Sequence, residues 1–175
     1  EALHGKIIAL ISDAGTPGIS DPGYLLVHKA ISEGVEVRCL PGATALIPAI
    51  VQSGLPADRF IFEGFLPKKK IDRQKILLEV SKNKKTTIIY ESPKRLKKLL
   101  KELLEFCGGD REIMVARELT KKFEEHIGDN INDVDEFFRE KDIIGEITIV
   151  VKGIKKRDFN LDKFSIKKDL PVSYT

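Results

Sequence analysis

The apolar and polar positions fall into short blocks whose spacing alternates between strand-like and helical. Residues 6–11 (KIIALI) are a short apolar run closed by a glycine-rich loop, the pattern of a buried strand in a parallel sheet. Residues 24–32 then repeat at helical spacing, with Leu25, Leu26 and Ile31 set against Lys29, and Gly34 offers a stop. Residues 35–40 read as a second strand, broken by Pro41 and Gly42. Thr44 is placed to cap a helix running toward Ser53, within which Pro48 marks a kink or a first-turn position. Gly54, Leu55 and Pro56 end this unit.

The pattern then starts again. Residues 59–65 are aromatic and strand-like, 68–82 polar and helical, and 86–90 (TTIIY) strand-like. Ser92 and Pro93 are expected to cap a strongly periodic helix over 94–106, with Leu96, Leu99, Leu100, Leu103 and Leu104 on one face. Gly108 and Gly109 end it. Strands are expected at 112–116 and 123–127 around a charged turn, a short helix at 134–139, and a last strand at 146–151. Residues 154–175 are basic and weakly periodic, and are expected to be loosely ordered. Strands alternating with helices define an α/β chain. The break near 56–58 divides it into parts 1–57 and 58–153.

Composition narrows the picture. A chain of 175 residues, 42% hydrophobic and 33% charged, has enough apolar surface to fold. Its net charge of +3 does not mark a nucleic-acid binder, so any basic footprint must be local. His4, His28 and His126 lie too far apart in sequence for a metal motif, and no metal is expected. Cys39, in an apolar run, and Cys107, at a helix end, read as packed free thiols of a reducing compartment. No run reaches membrane-spanning length and no signal peptide opens the chain, so a cytoplasmic protein without a membrane partner is expected. The first residue is Glu1 rather than Met, as in a piece of a longer protein.

Segment 12–23 (SDAGTPGISDPG) is the most informative. Its glycines and prolines exclude a continued helix or strand and let backbone approach a ligand closely. It joins a predicted strand to a predicted helix, at the edge where α/β sheets bind ligands. An ordinary connection with Asp21 as helix cap explains the spacing slightly better. The segment is neither a dinucleotide fingerprint nor a phosphate-binding P-loop.

Five segments in order carry a resemblance: SDAGTPGISDPG, PGATALIPAIVQSGLP (41–56), FEGFLPKK (62–69), YESPKRL (90–96) and RELTKKFEE (117–125). With them the chain resembles the bacterial 16S ribosomal RNA 2′-O-cytidine methyltransferases of the tetrapyrrole-methylase superfamily, over about residues 5–153. The resemblance implies two α/β/α halves with S-adenosylmethionine in the cleft between them, the N-terminal half being truncated here. It places the backbone of Asp13, Ala14, Gly15 and Thr16 at the methionine part of the cofactor. Thr16 stands where the superfamily commonly has an acidic residue. Thr44 and Ala45 match a second cofactor segment at a helix start, where free N–H groups suit polar atoms. Tyr90 and Glu91, with Gly145, Glu146 and Ile147, are placed to close over the adenosine.

For RNA, the candidates are Lys68, Lys69 and Lys70, which follow a family motif, and Arg117 and Lys121. RELTKKFEE holds six charged residues in nine, and a solvated hairpin tip explains such a run equally well. Lys94, Lys97, Lys98 and Lys101 share a helix face and read as a solvated surface. Glu91, Glu118 and Lys121 are the candidates for a catalytic group, and none stands out as the base.

The activity implied is S-adenosylmethionine-dependent 2′-O-methylation of a cytidine in the 16S ribosomal RNA of the small subunit. The rivals are C-methylation of a tetrapyrrole precursor, and a non-catalytic binding fragment. The strand and Pro-Ile-Gly-Asn-Leu loop that open such enzymes, and an acidic Glu-Asp-Thr-Arg block, do not occur in the chain. The piece alone is therefore expected to be inactive, to lean on its second part, and to self-associate, as a dimer, through an unpaired sheet edge.

Overall fold

The computed structural model describes residues 5–154. All but the first residue of the expected tail, 154–175, lies outside them.

The core is a five-stranded mixed sheet built from Phe60 onward. Its strands are β1 (Phe60–Phe65), β2 (Thr86–Glu91), β3 (Glu112–Arg117), β4 (Glu125–Asn130) and β5 (Ile147–Val151), in the spatial order β1-β2-β5-β3-β4. β1 and β2 are parallel; every other pair is antiparallel. The helices are α1 (Tyr24–Ser32), α2 (Leu46–Ser53), α3 (Lys70–Lys82), α4 (Pro93–Cys107) and α5 (Ile131–Arg139). Strand alternation sorts the sheet's side chains onto two faces. Ile89, Ile113, Val115, Ile147, Ile149 and Val151 meet α3, α4 and α5 in one cluster. Ile88, Met114, Ala116 and Val150 meet Ala49 and Ile50 of α2 in a second.

α4 forms because Leu96, Leu99, Leu100 and Leu103 recur every three or four residues, and all four are fully buried. Lys94, Lys98 and Lys101 stay in solvent on its far side. Ser92 precedes α4 as expected, but its hydroxyl does not cap the helix; it accepts from Arg95 Nε at 3.1 Å. In α2, Pro48 takes the first turn, where its missing N–H costs nothing.

Two expected strands do not form. Residues 6–11 and 35–40 are irregular and pair with no strand among the described residues. A strand exists only by hydrogen-bonding a neighbour, and the apolar run alone supplies none. Ile7, Ile11 and Leu40 are left 101%, 84% and 80% exposed. Cys39 is exposed for the same reason, not packed. Cys107 is partly buried, and loss of water contact pushes its thiol pKa up. α1 lies where the sequence put it but buries no residue, and Gly23, not Asp21, stands at its N-cap. The first part leans on the second through α2, whose Ala49 and Ile50 belong to the sheet's own core.

Candidate functional site

One edge of the sheet gathers the segments that sequence singled out. β1 and β2 end there at Phe65 and Glu91, β3 ends there at Arg117, and β4 and β5 begin there at Glu125 and Ile147. The register makes this concrete: Phe65 faces Tyr90, Glu91 faces Ile147, and Ile147 faces Arg117.

The glycine-rich loop and the start of α2 form the opposing wall. Thr16 N–H donates to Ala43 O at 2.9 Å, and Thr16 Oγ1 donates to the same carbonyl at 3.1 Å. Gly15 adopts φ 75°, in the left-handed region, and a Cβ there would lie 3.1 Å from Ala43 O. Ser12 Oγ also donates to Ala14 O and Gly15 O. Asp13, Ala14, Gly15 and Thr16 are thus held against Ala43, beside Thr44 and Ala45. Thr44 does not cap α2, whose N-cap is Ala45 with no side-chain cap bond. Its Oγ1 is buried without a hydrogen-bond partner. A buried hydroxyl without a partner is costly, and a polar ligand atom at this wall would satisfy it.

Tyr90 closes the gap between the two walls. Its hydroxyl accepts the N–H of Leu46, the first residue of α2, at 3.1 Å. Its ring packs edge-on against Phe62 and Phe65, with centroids 4.8 and 5.8 Å away. Desolvation raises the Tyr90 pKa above the ordinary tyrosine value, so the hydroxyl is neutral at physiological pH.

Glu91 is the next residue of β2 and points to the other face. Its carboxylate is fully buried and pairs with Arg73 Nη2 at 3.3 Å and Arg95 Nη2 at 2.7 Å, while Ser92 N–H donates to it at 2.8 Å. Arg73 also binds Glu102 at 2.7 Å. Both guanidiniums and the Ser92 N–H hold Glu91 in a buried ion network on the face of the sheet away from Tyr90. The side chain of Ile147 likewise joins the core under α4 and α5. At the edge, residue 147 can offer only backbone.

Glu118 and Lys121 are also engaged. Glu118 Oε1 accepts from Glu146 N–H at 2.8 Å and from Lys121 Nζ at 3.0 Å, and these bonds hold its carboxyl below the usual carboxylate range. Lys121 Nζ pairs with Glu146 at 3.0 Å as well. Bonds to both carboxylates raise its pKa, which favours the ammonium form. Arg117 is bound to Glu125 at 3.0 Å and donates to Ile144 O at 3.3 Å. Lys68, Lys69 and Lys70 differ: all three are exposed where β1 gives way to α3, and they form no ion pair among the described residues. Three cations at a helix N-terminus oppose the helix dipole, a cost that an anionic partner would offset.

Sequence reading missed the roles of Phe62, Phe65, Arg73 and Arg95. Phe62 and Phe65 lie in a recognised block, but only the β1–β2 register sets them on Tyr90. Arg73 in a polar helix gave no sign of burial, yet it is 4% exposed. Two hollows, of about 350 and 310 Å³, lie near Cys107–Gly153 and beside Arg117–Ile144, and neither reaches Thr44.

A glycine-rich loop and a helix start facing the carboxyl edge of an α/β sheet define a ligand-binding α/β protein. The sequence profile of the tetrapyrrole (corrin/porphyrin) methylases matches residues 1–135, and the chain belongs to that family. Its relatives include proteins called ribosomal RNA small subunit methyltransferase I. That of Thermotoga maritima is 44% identical over 150 residues, covering 86% of this chain and 67% of its own. That of Vibrio cholerae is 48% identical over 155 residues, covering 87% and 54%. The chain therefore spans between half and two-thirds of the length of these relatives. Among solved structures, the methyltransferase CobJ superposes with a TM-score of 0.64 at 22% identity, covering 90% of this chain and 69% of that one. A uroporphyrin-III C-methyl transferase from Thermus thermophilus complexed with S-adenyl homocysteine gives 0.54 at 19%, covering 78% and 62%. These structures share the fold.

Proposed function

We propose that the protein of which this chain is part transfers a methyl group from S-adenosylmethionine to the 2′-hydroxyl of a cytidine in the RNA of the small ribosomal subunit, in the cytoplasm. The carrying observation is the pairing of a partnerless buried Thr44 hydroxyl with the Gly15 loop beside it, in a chain nearly half identical to small-subunit RNA methyltransferases.

When bound, S-adenosylmethionine supplies an electrophilic methyl group on a sulfonium. The residues on hand fit it: the backbone of residues 13–16, the Thr44 hydroxyl and Ala45 on one wall, and the Tyr90 ring with the backbone of 145–147 on the other. The side chains of Glu91, Glu118 and Lys121 are committed to ion pairs, so none of them acts as the base. The chain's contribution is alignment and exclusion of water, the O2′–methyl bond forming as the methyl–sulfur bond breaks. Lys68, Lys69 and Lys70 give the edge a cationic approach for phosphates.

The uncovered side chains of Ile7, Ile11 and Leu40 favour a second copy of the chain as partner. The full-length protein is to be incubated with labelled cofactor and either 30S subunits or a porphyrinogen. Label in ribosomal RNA supports the reading; label in the porphyrinogen alone transfers the protein to tetrapyrrole chemistry.

A further inference from the structure

We infer that Glu118 is a positioning residue: its carboxylate clamps the backbone of residues 144–147 and so sets the part of the cofactor wall that adjoins Tyr90. The inference rests on the methyl-transfer reading above.

The β3–β4 hairpin tip is strained. Glu118 has φ 52° and Thr120 φ 63°, the left-handed region that non-glycine residues avoid and β-branched residues avoid most. An idle solvated tip would relax or carry glycine at these positions. This one is bent onto the start of β5 and fastened there. Glu118 N–H donates to Glu146 O at 2.9 Å, and Glu146 N–H donates back to Glu118 Oε1 at 2.8 Å. Lys121 Nζ bridges the Glu118 and Glu146 carboxylates, at 3.0 Å to each. Thr120 N–H is tied to Glu124 Oε2 at 2.6 Å, and Arg117 holds Ile144 O. The partner segment is shaped to receive Glu118: a Cβ on Gly145 would lie 2.5 Å from Glu118 Cγ, Cδ and Oε1.

What is held this way lies next to the site. Ile147 and Thr148 are registered directly against Glu91 and Tyr90. A shift of residues 144–146 would be passed to the strand beside Tyr90, and alignment-dependent transfer is sensitive to displacements of about 1 Å. The clamp also removes Lys121 from the RNA surface. One ammonium between two carboxylates leaves a net negative charge, which repels a phosphate. Within the tip, Lys122 is the exposed lysine without an ion pair.

The test measures Kd for S-adenosylmethionine by calorimetry, and KM for cofactor and for 30S subunits separately, in the full-length protein. Glu118→Ala should raise the cofactor Kd and KM about tenfold or more, with the KM for 30S subunits unchanged. Glu118→Gln keeps an acceptor for the Glu146 N–H and should restore most of the affinity. Lys121→Met, at an exposed position, should fold normally and weaken cofactor binding slightly without changing the salt dependence of RNA binding. Unchanged cofactor affinity in Glu118→Ala overturns the inference. If that variant does not fold, Lys121→Met decides: cofactor affinity unchanged in that variant, or loss of its RNA affinity, overturns the inference. A wild-type protein that binds no S-adenosylmethionine overturns the underlying reading instead.

Discussion

The hydroxyl of Tyr90 accepts the backbone N–H of Leu46 at 3.1 Å, joining the carboxyl end of β2 to the first residue of a helix 44 positions earlier. The bond satisfies one of the orphan donors at the start of α2 and fixes that helix over the sheet. Tyr90→Phe keeps the ring among Phe62 and Phe65 and removes only this bond. It should cost about 1 kcal/mol in denaturant unfolding, the net worth of one such bond. A variant as stable as the parent would show the bond to be idle.

Gly15→Leu should abolish cofactor binding while leaving the full-length protein folded. The added side chain meets Ala43 O and must hold φ 75°, but the loop contributes nothing to either core cluster. Calorimetry with unchanged affinity removes residues 13–16 from the site.

Replacing Lys68, Lys69 and Lys70 together by Glu should weaken binding to ribosomal RNA and flatten its dependence on salt, since fewer counterions are released. Cofactor affinity should stay put. A change confined to the cofactor would reverse the assignment.

Arg73→Met leaves Glu91 and Glu102 without their shared guanidinium in a buried setting. Breaking a buried pair from one side costs roughly 3–5 kcal/mol, and the loss should appear in the unfolding midpoint. Adding Glu91→Gln removes a buried charge that Arg95 alone would then balance, and should recover part of it. A double variant no more stable than Arg73→Met would deny the coupling.

The Glu146 amide should report the titration of Glu118. The folded Glu118 pKa lies below the ordinary glutamate value, so its contribution to stability is fully present above the unfolded pKa of about 4.3. It is lost as pH falls through the lowered folded value. The amide shift followed by NMR should therefore have its midpoint below that of an ordinary glutamate; a midpoint at or above it would mean that the clamp is open in solution.

Much of the fold was legible because the signals were local. The leucine stripe of α4, the apolar run of β5 and the breaks at Gly54 and Gly108 each act over a few residues. Residues 6–11 and 35–40 failed because an apolar run states only that a segment prefers burial, not that a neighbour is there to pair with it. The site was legible as segments, not as side chains. Nothing in YESPKRL tells that Tyr90 and Glu91 point to opposite faces until the strand exists, and nothing in RELTKKFEE tells that Glu118 and Lys121 hold each other and Glu146. Pairings over 28 residues, such as Glu118 with Glu146, leave no trace in spacing.

The strand order gives the chain a timetable. Of the described strands β5 is the last to leave the ribosome, yet it lies between β2 and β3. Until Ile147–Val151 has been made, β1 and β2 form one ribbon and β3 and β4 another, with no ladder between them. Both ribbons then show open edges and bare apolar faces, the state in which a nascent chain is most open to chaperones and to mispairing. The sheet closes in a single late insertion, so a chain stopped before Ile147 would lose the join between its two ribbons as well as one strand.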